Sequence, residues 1–81
     1  MVHSEHLRAA RALLGWRQED LSKASGIGLA TIQRIEKGSG PLRANVSTAV
    51  KIQEALERAG VRFLERDQNG GIGVRLTHTA P

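Results

Sequence analysis

The chain has 81 residues, which is enough for one domain and too few for two. Hydrophobic residues make up 40% of the chain and charged residues 25%, a composition that is ordinary for a globular protein and excludes a disordered one. The 12 Lys and Arg residues outnumber the 8 Asp and Glu residues and give a net charge of +4, which favours a polyanionic partner.

What the composition lacks narrows the function further. There is no cysteine, which excludes disulfides and thiolate metal sites. No apolar run approaches the ~20 residues that span a bilayer, and the opening "MVHSEHLRAAR" lacks the apolar stretch of a signal peptide. Aromatic side chains are confined to Trp16 and Phe63, so stacking of single-stranded bases is not expected. We expect a cytoplasmic protein with no membrane partner.

Two short helices are predicted in the first third of the chain. The first begins at Ser4, a good N-cap residue, and ends at Gly15. The second runs from near Gln18 to Gly26, which can adopt the left-handed C-cap conformation. Their apolar stripes consist of Leu7, Ala10, Leu13 and Leu14 in the first helix and of Leu21 and Ala24 in the second.

Two further helices and a hairpin follow. The third helix ends at Lys37 and Gly38, and the loop "GSGPLRA" leads to a fourth helix that is capped by Asn45 and ends at Gly60. The stripe of the fourth helix comprises Val46, Ala49, Ile52, Ala55 and Leu56. The segment "VRFLERDQNGGIGVRL" then changes to a period of two, which predicts a β-hairpin with Val61, Phe63, Ile72, Val74 and Leu76 on one face.

The stretch "EDLSKASGIGLATIQRIEKG" has the pattern of a helix-turn-helix. Leu21 and Ile32 would pack between the two helices, Gly26 would form the turn, Ile27 would fill the corner, and Ile35 would face the core. With "RALLGWRQEDLSKASG", "ATIQRIEKG" and "KIQEALERAG", the pattern from Leu7 to about Leu56 resembles the Xre, Cro and lambda-repressor-like family of bacterial transcription factors. The resemblance implies a mainly α, lambda-repressor-like bundle of four helices, with residues 1–60 as the DNA-binding unit and 61–81 as a hairpin extension of the same domain.

The resemblance also implies which residues bind double-stranded DNA. Gln18 matches a glutamine that bonds a phosphate and supports the recognition helix, and Arg11 with Glu36 matches a structural salt bridge. The positions that face the groove are Gly28, Leu29, Ala30, Thr31, Gln33 and Arg34, and those around the backbone-gripping loop are Lys37, Ser39 and Arg43. Arg34 could pair with guanine, Gln33 with adenine or a phosphate, and Leu29, Ala30 or Thr31 could touch a thymine methyl.

Three positions depart from the family pattern. Arg17 replaces the usual Ser or Thr cap of the second helix and adds a cation that can reach a phosphate. Gly28 replaces the usual cap of the third helix, and Leu29 replaces a polar or basic residue. A recognition helix that begins "GLAT" has little hydrogen-bonding capacity in its first turn. We therefore expect modest sequence specificity, carried by Arg34, Gln33 and DNA shape, or an apolar first turn used for protein contacts.

A single helix-turn-helix contacts only a few base pairs, so a homodimer on palindromic operator DNA is expected, acting as a repressor by occupancy. The hairpin is expected to close the helical core and to supply or support a dimer contact. Two alternatives from other classes stay open. One is an antitoxin that inhibits a toxin enzyme and represses their shared promoter, and the other is a small anti-activator that acts through protein contacts alone.

Enzymatic functions have weaker support. The stretch "GIGLAT" mimics the start of a phosphate-binding loop, but no strand precedes it and the third glycine is absent. No Ser, His or Asp has a recognisable nucleophile setting. His3 and His6 lack accompanying carboxylate or thiolate ligands and are interpreted as surface histidines. We predict no enzymatic activity, cofactor or metal, and assign to solvent the charges of Arg8, Lys23, Lys51, Arg58, Arg62 and Arg66.

Overall fold

The structure is a computed structural model that describes residues 2–77. Within them the chain forms four helices, α1 (Ser4–Leu14), α2 (Gln18–Ser25), α3 (Leu29–Glu36) and α4 (Val46–Arg58), and two strands, β1 (Val61–Leu64) and β2 (Gly73–Leu76). The predicted helices and hairpin are therefore confirmed, although residues 78–81 of the predicted tail lie outside the described residues. No helix in this range is both long and apolar enough to cross a bilayer.

Residues with special backbone or capping roles set the helix ends. Gly15 after α1 has a φ of 67° and Gly26 after α2 has a φ of 74°, in the left-handed region that glycine enters without a Cβ clash. The N–H of Gly26 donates to the carbonyl of Ser22 at 2.9 Å. At the start of α4, Asn45 Oδ1 accepts the N–H of Thr48 at 2.8 Å, which is the predicted cap.

The predicted N-cap of α1 is wrong by one residue. His3 is the N-cap, with an extended backbone, and its N–H donates to Nδ1 of His6 at 2.9 Å. Ser4 is the first helical residue and is buried, and its Oγ donates to the carbonyl of Ile35 at 2.7 Å. The serine hydroxyl therefore joins α1 to α3, because it lies against the neighbouring helix instead of beside its own N–H groups.

Aliphatic side chains from every helix and from β1 form one core. The predicted inter-helix pair, Leu21 and Ile32, is fully buried, and Ile27 packs against the core at the corner between α2 and α3. The predicted apolar stripes are wrong at three positions: Val46 of α4 is 80% exposed, Leu13 of α1 is 45% exposed and Ala24 of α2 is exposed. At 100° per residue Val46 lies about 120° around the helix from the buried Ile52, so it is off the packed side.

The hairpin packs its apolar face against the helices. Val61 pairs with Leu76 and Phe63 pairs with Val74 in an antiparallel register, and these side chains contact the core. Val61 is only 1% exposed, so β1 is an integral part of the core. The prediction that Ile72 belongs to the second strand is wrong, because β2 begins at Gly73 and Ile72 lies half-buried just before it.

His6 is a buried core residue, which corrects the prediction of a surface histidine. It is 1% exposed, and its ring meets that of Phe63 edge-on with centroids 5.4 Å apart. Since Nδ1 accepts the N–H of His3, Nε2 carries the proton and donates to the carbonyl of Leu64 at 3.1 Å. His6 thus joins α1 to β1, whereas Ser4, on nearly the opposite side of α1, joins it to α3. α1 therefore lies between the helix-turn-helix and the hairpin.

Candidate nucleic-acid interface

α3 turns one side to the core and the other to solvent. Ala30, Gln33 and Arg34 are exposed, and Lys37 is exposed just beyond the end of the helix. These four residues lie at i, i+3, i+4 and i+7, so they share one face. The major groove of B-form DNA admits one α-helix, and a polar, basic face of this kind is what would enter it.

The first turn of α3 is less accessible. Leu29 and Thr31 are half-buried, so only part of each side chain can meet a ligand. Gly28 is the N-cap and provides no side-chain cap bond, although a Cβ added there would meet nothing within 4 Å. Steric crowding therefore does not explain why this position lacks a capping side chain. Gln33 and Arg34 are the hydrogen-bonding side chains that the exposed face of α3 offers.

The start of α2 lies beside this face. Arg17 is the N-cap of α2, and its N–H donates to Asp20 Oδ2 at 2.8 Å. Asp20 thereby supplies one half of a capping box, although the serine or threonine of the family pattern is missing. The exposed Arg17 side chain forms no hydrogen bond or ion pair with any residue in the range 2–77 and can extend toward a phosphate.

Glu36 joins the three helices at the end of α3. Its side chain is 3% exposed and accepts two short hydrogen bonds from Arg11, Nη2 to Oε1 at 2.7 Å and Nε to Oε2 at 2.8 Å. Gln18 Nε2 donates to Glu36 Oε1 at 3.2 Å. The ion pair that the resemblance implied is thus present, and Gln18 contacts α3 through it. Together these bonds fix the orientation of α3 relative to α1 and α2.

Arg11 also contacts the segment that connects α1 to α2. Its Nη1 donates to the carbonyl of Trp16 at 3.1 Å, in the turn before α2. The hydrogen bonds to Glu36 raise the pKa of the Arg11 guanidinium above its ordinary value, so the cation is retained at every accessible pH. A buried carboxylate that keeps such a partner is stable, whereas one that loses it is costly.

The loop after α3 carries the other predicted backbone contacts. Lys37, Ser39 and Arg43 are exposed, and their side chains form no hydrogen bond or ion pair with the described residues. Arg34 Nη1 donates to the carbonyl of Arg43 at 3.3 Å, so the arginine predicted to read a base rests against this loop. That bond is long and exposed, and moving Arg34 to a base edge would cost little.

Arg8 and Glu5 are functional candidates that the sequence analysis missed. Arg8 is exposed, as predicted, but its Nη1 also donates to the carbonyls of Glu36 and Gly38, contacts that its assignment to solvent did not include. Glu5 Oε1 accepts the N–H of Gly40 at 3.0 Å. One signal was available, because Arg8 lies three residues before Arg11 and shares its helix face. The contact of Glu5 with the loop has no comparable signal in the sequence.

Arg58 needs a similar correction. Its Nη2 donates to the carbonyl of Ala24 at 3.3 Å, near the end of α2, so it is tied to a neighbouring helix even though it is exposed.

An open cavity of about 480 Å³ lies at the junction of the three helices. Its lining is polar or charged and consists of Arg8, Arg11, Gln18, Gln33, Glu36 and Lys37. Apart from Glu36, which is paired with Arg11, these side chains are hydrogen-bond donors that suit an oxyanion such as a backbone phosphate. Among residues 2–77 there is no cluster of three or more acidic or histidine side chains that could hold a metal ion.

Comparison with known families agrees with this geometry. A family model described as helix-turn-helix matches residues 7–62, from the second turn of α1 into β1. Since the match covers more than half of the chain, the protein belongs to the Xre and lambda-repressor-like helix-turn-helix family. Members of this family are DNA-binding transcription regulators, and the chain is a helix-turn-helix protein for double-stranded DNA. No curated protein and no solved structure matches the chain.

Proposed function

We propose that the protein is a sequence-specific repressor that binds palindromic operator DNA as a symmetric dimer. One observation carries the proposal: the exposed face of α3 ends at Lys37, Arg43 lies in the loop that Arg34 contacts and Arg17 caps the neighbouring α2, and none of these three side chains has a partner within the described residues. Unpaired cations at the end of a groove-sized helix and on the segments next to it suit the phosphate strands that border a major groove.

The contacts divide into two kinds. Arg34 is the base reader, with a fork that fits guanine, and Gln33 is the second reader, for adenine. Ala30, with the accessible parts of Leu29 and Thr31, meets thymine methyl groups. The side chains that grip the backbone are Arg17, Gln18, Lys37, Ser39 and Arg43, assisted by the amide of Gly28. Because few side chains hydrogen-bond to bases, specificity is modest and depends partly on DNA shape.

Repression follows from occupancy. A dimer places two copies of α3 in successive major grooves, with half-sites about 34 Å apart along one face of the duplex. A promoter element covered in this way is inaccessible to other proteins.

The proposal is tested by selecting duplexes from a random library and measuring the affinity of the best ones by fluorescence anisotropy across a salt series. We expect a palindrome, and log affinity should fall linearly with log salt at about 0.9 per phosphate contacted. Inserting 5 base pairs between the half-sites should abolish tight binding, because the half-sites then lie on opposite faces of the duplex. A folded protein that does not bind any duplex at low salt would contradict the proposal.

A further inference from the structure

The end of α3 differs from the ends of the other helices. Gly15, Gly26 and Ala59 each donate a backbone N–H to a carbonyl in the last turn of the preceding helix. Lys37, the corresponding residue after α3, has a right-handed backbone and donates no such cap bond within the described residues. The last carbonyls of a helix need donors from elsewhere in the chain or from water.

Arg8 supplies the missing donor. Its Nη1 bonds the carbonyl of Glu36, the last residue of α3, and the carbonyl of Gly38 at 2.8 Å. These carbonyls lie on either side of Lys37, so one guanidinium fixes the backbone that carries this cation. The charge also lies at the negative end of the α3 dipole, where a cation is favoured.

The remainder of the loop is attached to the same part of the chain. The carbonyl of Gly40 accepts the N–H of Ser4 at 2.9 Å, and the N–H of Gly40 donates to Glu5 Oε1 at 3.0 Å. Further along, the N–H of Leu42 donates to the carbonyl of Val2 at 3.2 Å. Residues 36–42 therefore lie along residues 2–8, held by hydrogen bonds at nearly every second position.

We propose that residues 2–8 are a positioning element for DNA binding, with Glu5 and Arg8 holding the loop 37–43 in the shape that presents Lys37, Ser39 and Arg43 to the phosphate backbone. This rests on the proposed function, since it assigns the loop to DNA. Glu5 acts through the loop alone, whereas Arg8 holds the loop and also lines the cavity that suits a phosphate. Glu5 is an anion and is repelled by the phosphate backbone, so its effect on DNA binding is exerted through the loop.

Glu5 gives the sharper test because two effects predict opposite signs. Glu5→Ala removes a negative charge, which by electrostatics alone would tighten binding to a polyanion. The substitution also removes the hydrogen bond from the Gly40 N–H to the Glu5 carboxylate. We therefore expect affinity for the selected duplex to fall about tenfold, the equivalent of one charge-assisted hydrogen bond. Glu5→Gln keeps an oxygen that can accept the Gly40 N–H and should restore affinity to at least the wild-type value.

Glu54→Ala is the matched control. Glu54 is exposed on α4 and forms no hydrogen bond or ion pair with the described residues, so its removal changes the charge alone. Affinity should stay unchanged or rise slightly. Arg8→Ala should weaken binding about tenfold, whereas Arg58→Ala, which removes the same charge and a similar carbonyl contact at α2, should have a smaller effect.

The free energy of unfolding of each variant is first measured by urea titration. Affinities are then compared only for variants that are more than nine-tenths folded under the binding conditions. Where Arg8→Ala fails that criterion, Arg8→Lys replaces it and should show a smaller loss. Wild-type or tighter binding by Glu5→Ala would overturn the inference and leave the proposed function intact. Absence of salt-dependent DNA binding by the wild-type protein would overturn both.

Discussion

α1 is held on its two sides by different kinds of interaction. Toward the helix-turn-helix it makes directional contacts: Arg11 pairs with the buried Glu36, and Ser4 and Arg8 bond backbone carbonyls of α3 and its loop. Toward the hairpin the contact is chiefly apolar, with one buried histidine. Charged hydrogen bonds fix orientation, whereas apolar burial tolerates small shifts. The side proposed to face DNA is thus the one with a fixed geometry.

Breaking the ion pair should have the largest effect. Arg11→Ala leaves Glu36 buried with only Gln18 as a side-chain partner, so we expect the free energy of unfolding to fall by about 3 to 5 kcal/mol in urea titrations. The double variant Arg11→Met, Glu36→Leu should recover much of this loss, since it leaves no unpaired charge. A loss below about 1 kcal/mol would mean that the pair behaves like a surface salt bridge.

Removing the histidine tests the other side of α1. His6→Ala opens a cavity beside Phe63 and leaves the carbonyl of Leu64 without this donor, so the free energy of unfolding should fall by about 2 to 4 kcal/mol. His6→Gln, which retains polar atoms, should cost less. Because the hydrogen bonds of the His6 ring go to His3 and Leu64 and not to α3 or its loop, DNA affinity measured well below the unfolding transition should not change. A large change would show that the two sides are coupled.

The proposed division between base and backbone contacts predicts that alanine variants of two arginines change DNA affinity in different ways. Arg34→Ala should relax the preference at one base-pair position by about 1 to 3 kcal/mol, as measured by competition between single-base variants of the operator. Arg43→Ala should weaken all duplexes alike and reduce the salt slope by about 1. Equal effects of both variants on every duplex would mean that Arg34 contacts phosphate.

A pH effect should reveal the contribution of Glu5 to the attachment of the loop. Backbone N–H groups of Glu5 itself and of Gly40 hold the pKa of the Glu5 carboxyl below its ordinary value of 4.5. The Glu5 carboxylate therefore stabilises the fold at pH values above this ordinary pKa. Its contribution is lost as the pH falls through the lowered pKa of the folded state. The stability difference between wild type and Glu5→Gln should shrink between pH 6 and pH 3. A constant difference would mean that Glu5 has the same pKa when folded and unfolded.

The smallest effect is expected at the start of α3. Gly28 has an extended ψ and open space around it, so Gly28→Ser can provide the missing N-cap without strain. The free energy of unfolding should rise by a few tenths of a kcal/mol, roughly the difference between serine and glycine caps. A decrease would indicate that the backbone at this position needs glycine.

The sequence was sufficient where local chemistry decides structure. Gly15, Gly26 and Asn45 each mark a helix end through their own backbone or side chain. Leu21 and Ile32 mark the buried sides of α2 and α3, whereas the predicted apolar stripes extended too far, to Leu13, Ala24 and Val46. Motif resemblance identified the pair of Arg11 and Glu36, 25 residues apart.

Contacts between distant polar residues were not predictable. His6 meets Leu64 across 58 positions, and Glu5 meets Gly40 across 35. A histidine or glutamate near the start of a helix is most often exposed, and composition and periodicity do not show that another segment covers it. The position of a polar group in the fold, which decides its partner, is known only once the chain is assembled.

The exposed positions of α3 have a consequence for how such a regulator diversifies. Ala30 and Gln33 contribute to neither the core nor any hydrogen bond among the described residues, and Arg34 makes only one long contact. Substitutions there can accumulate without an effect on folding. With α3 reading the operator as proposed, gene duplicates could acquire separate operators by changing a few surface codons, and a designer could exchange the same positions to redirect the protein to a chosen sequence.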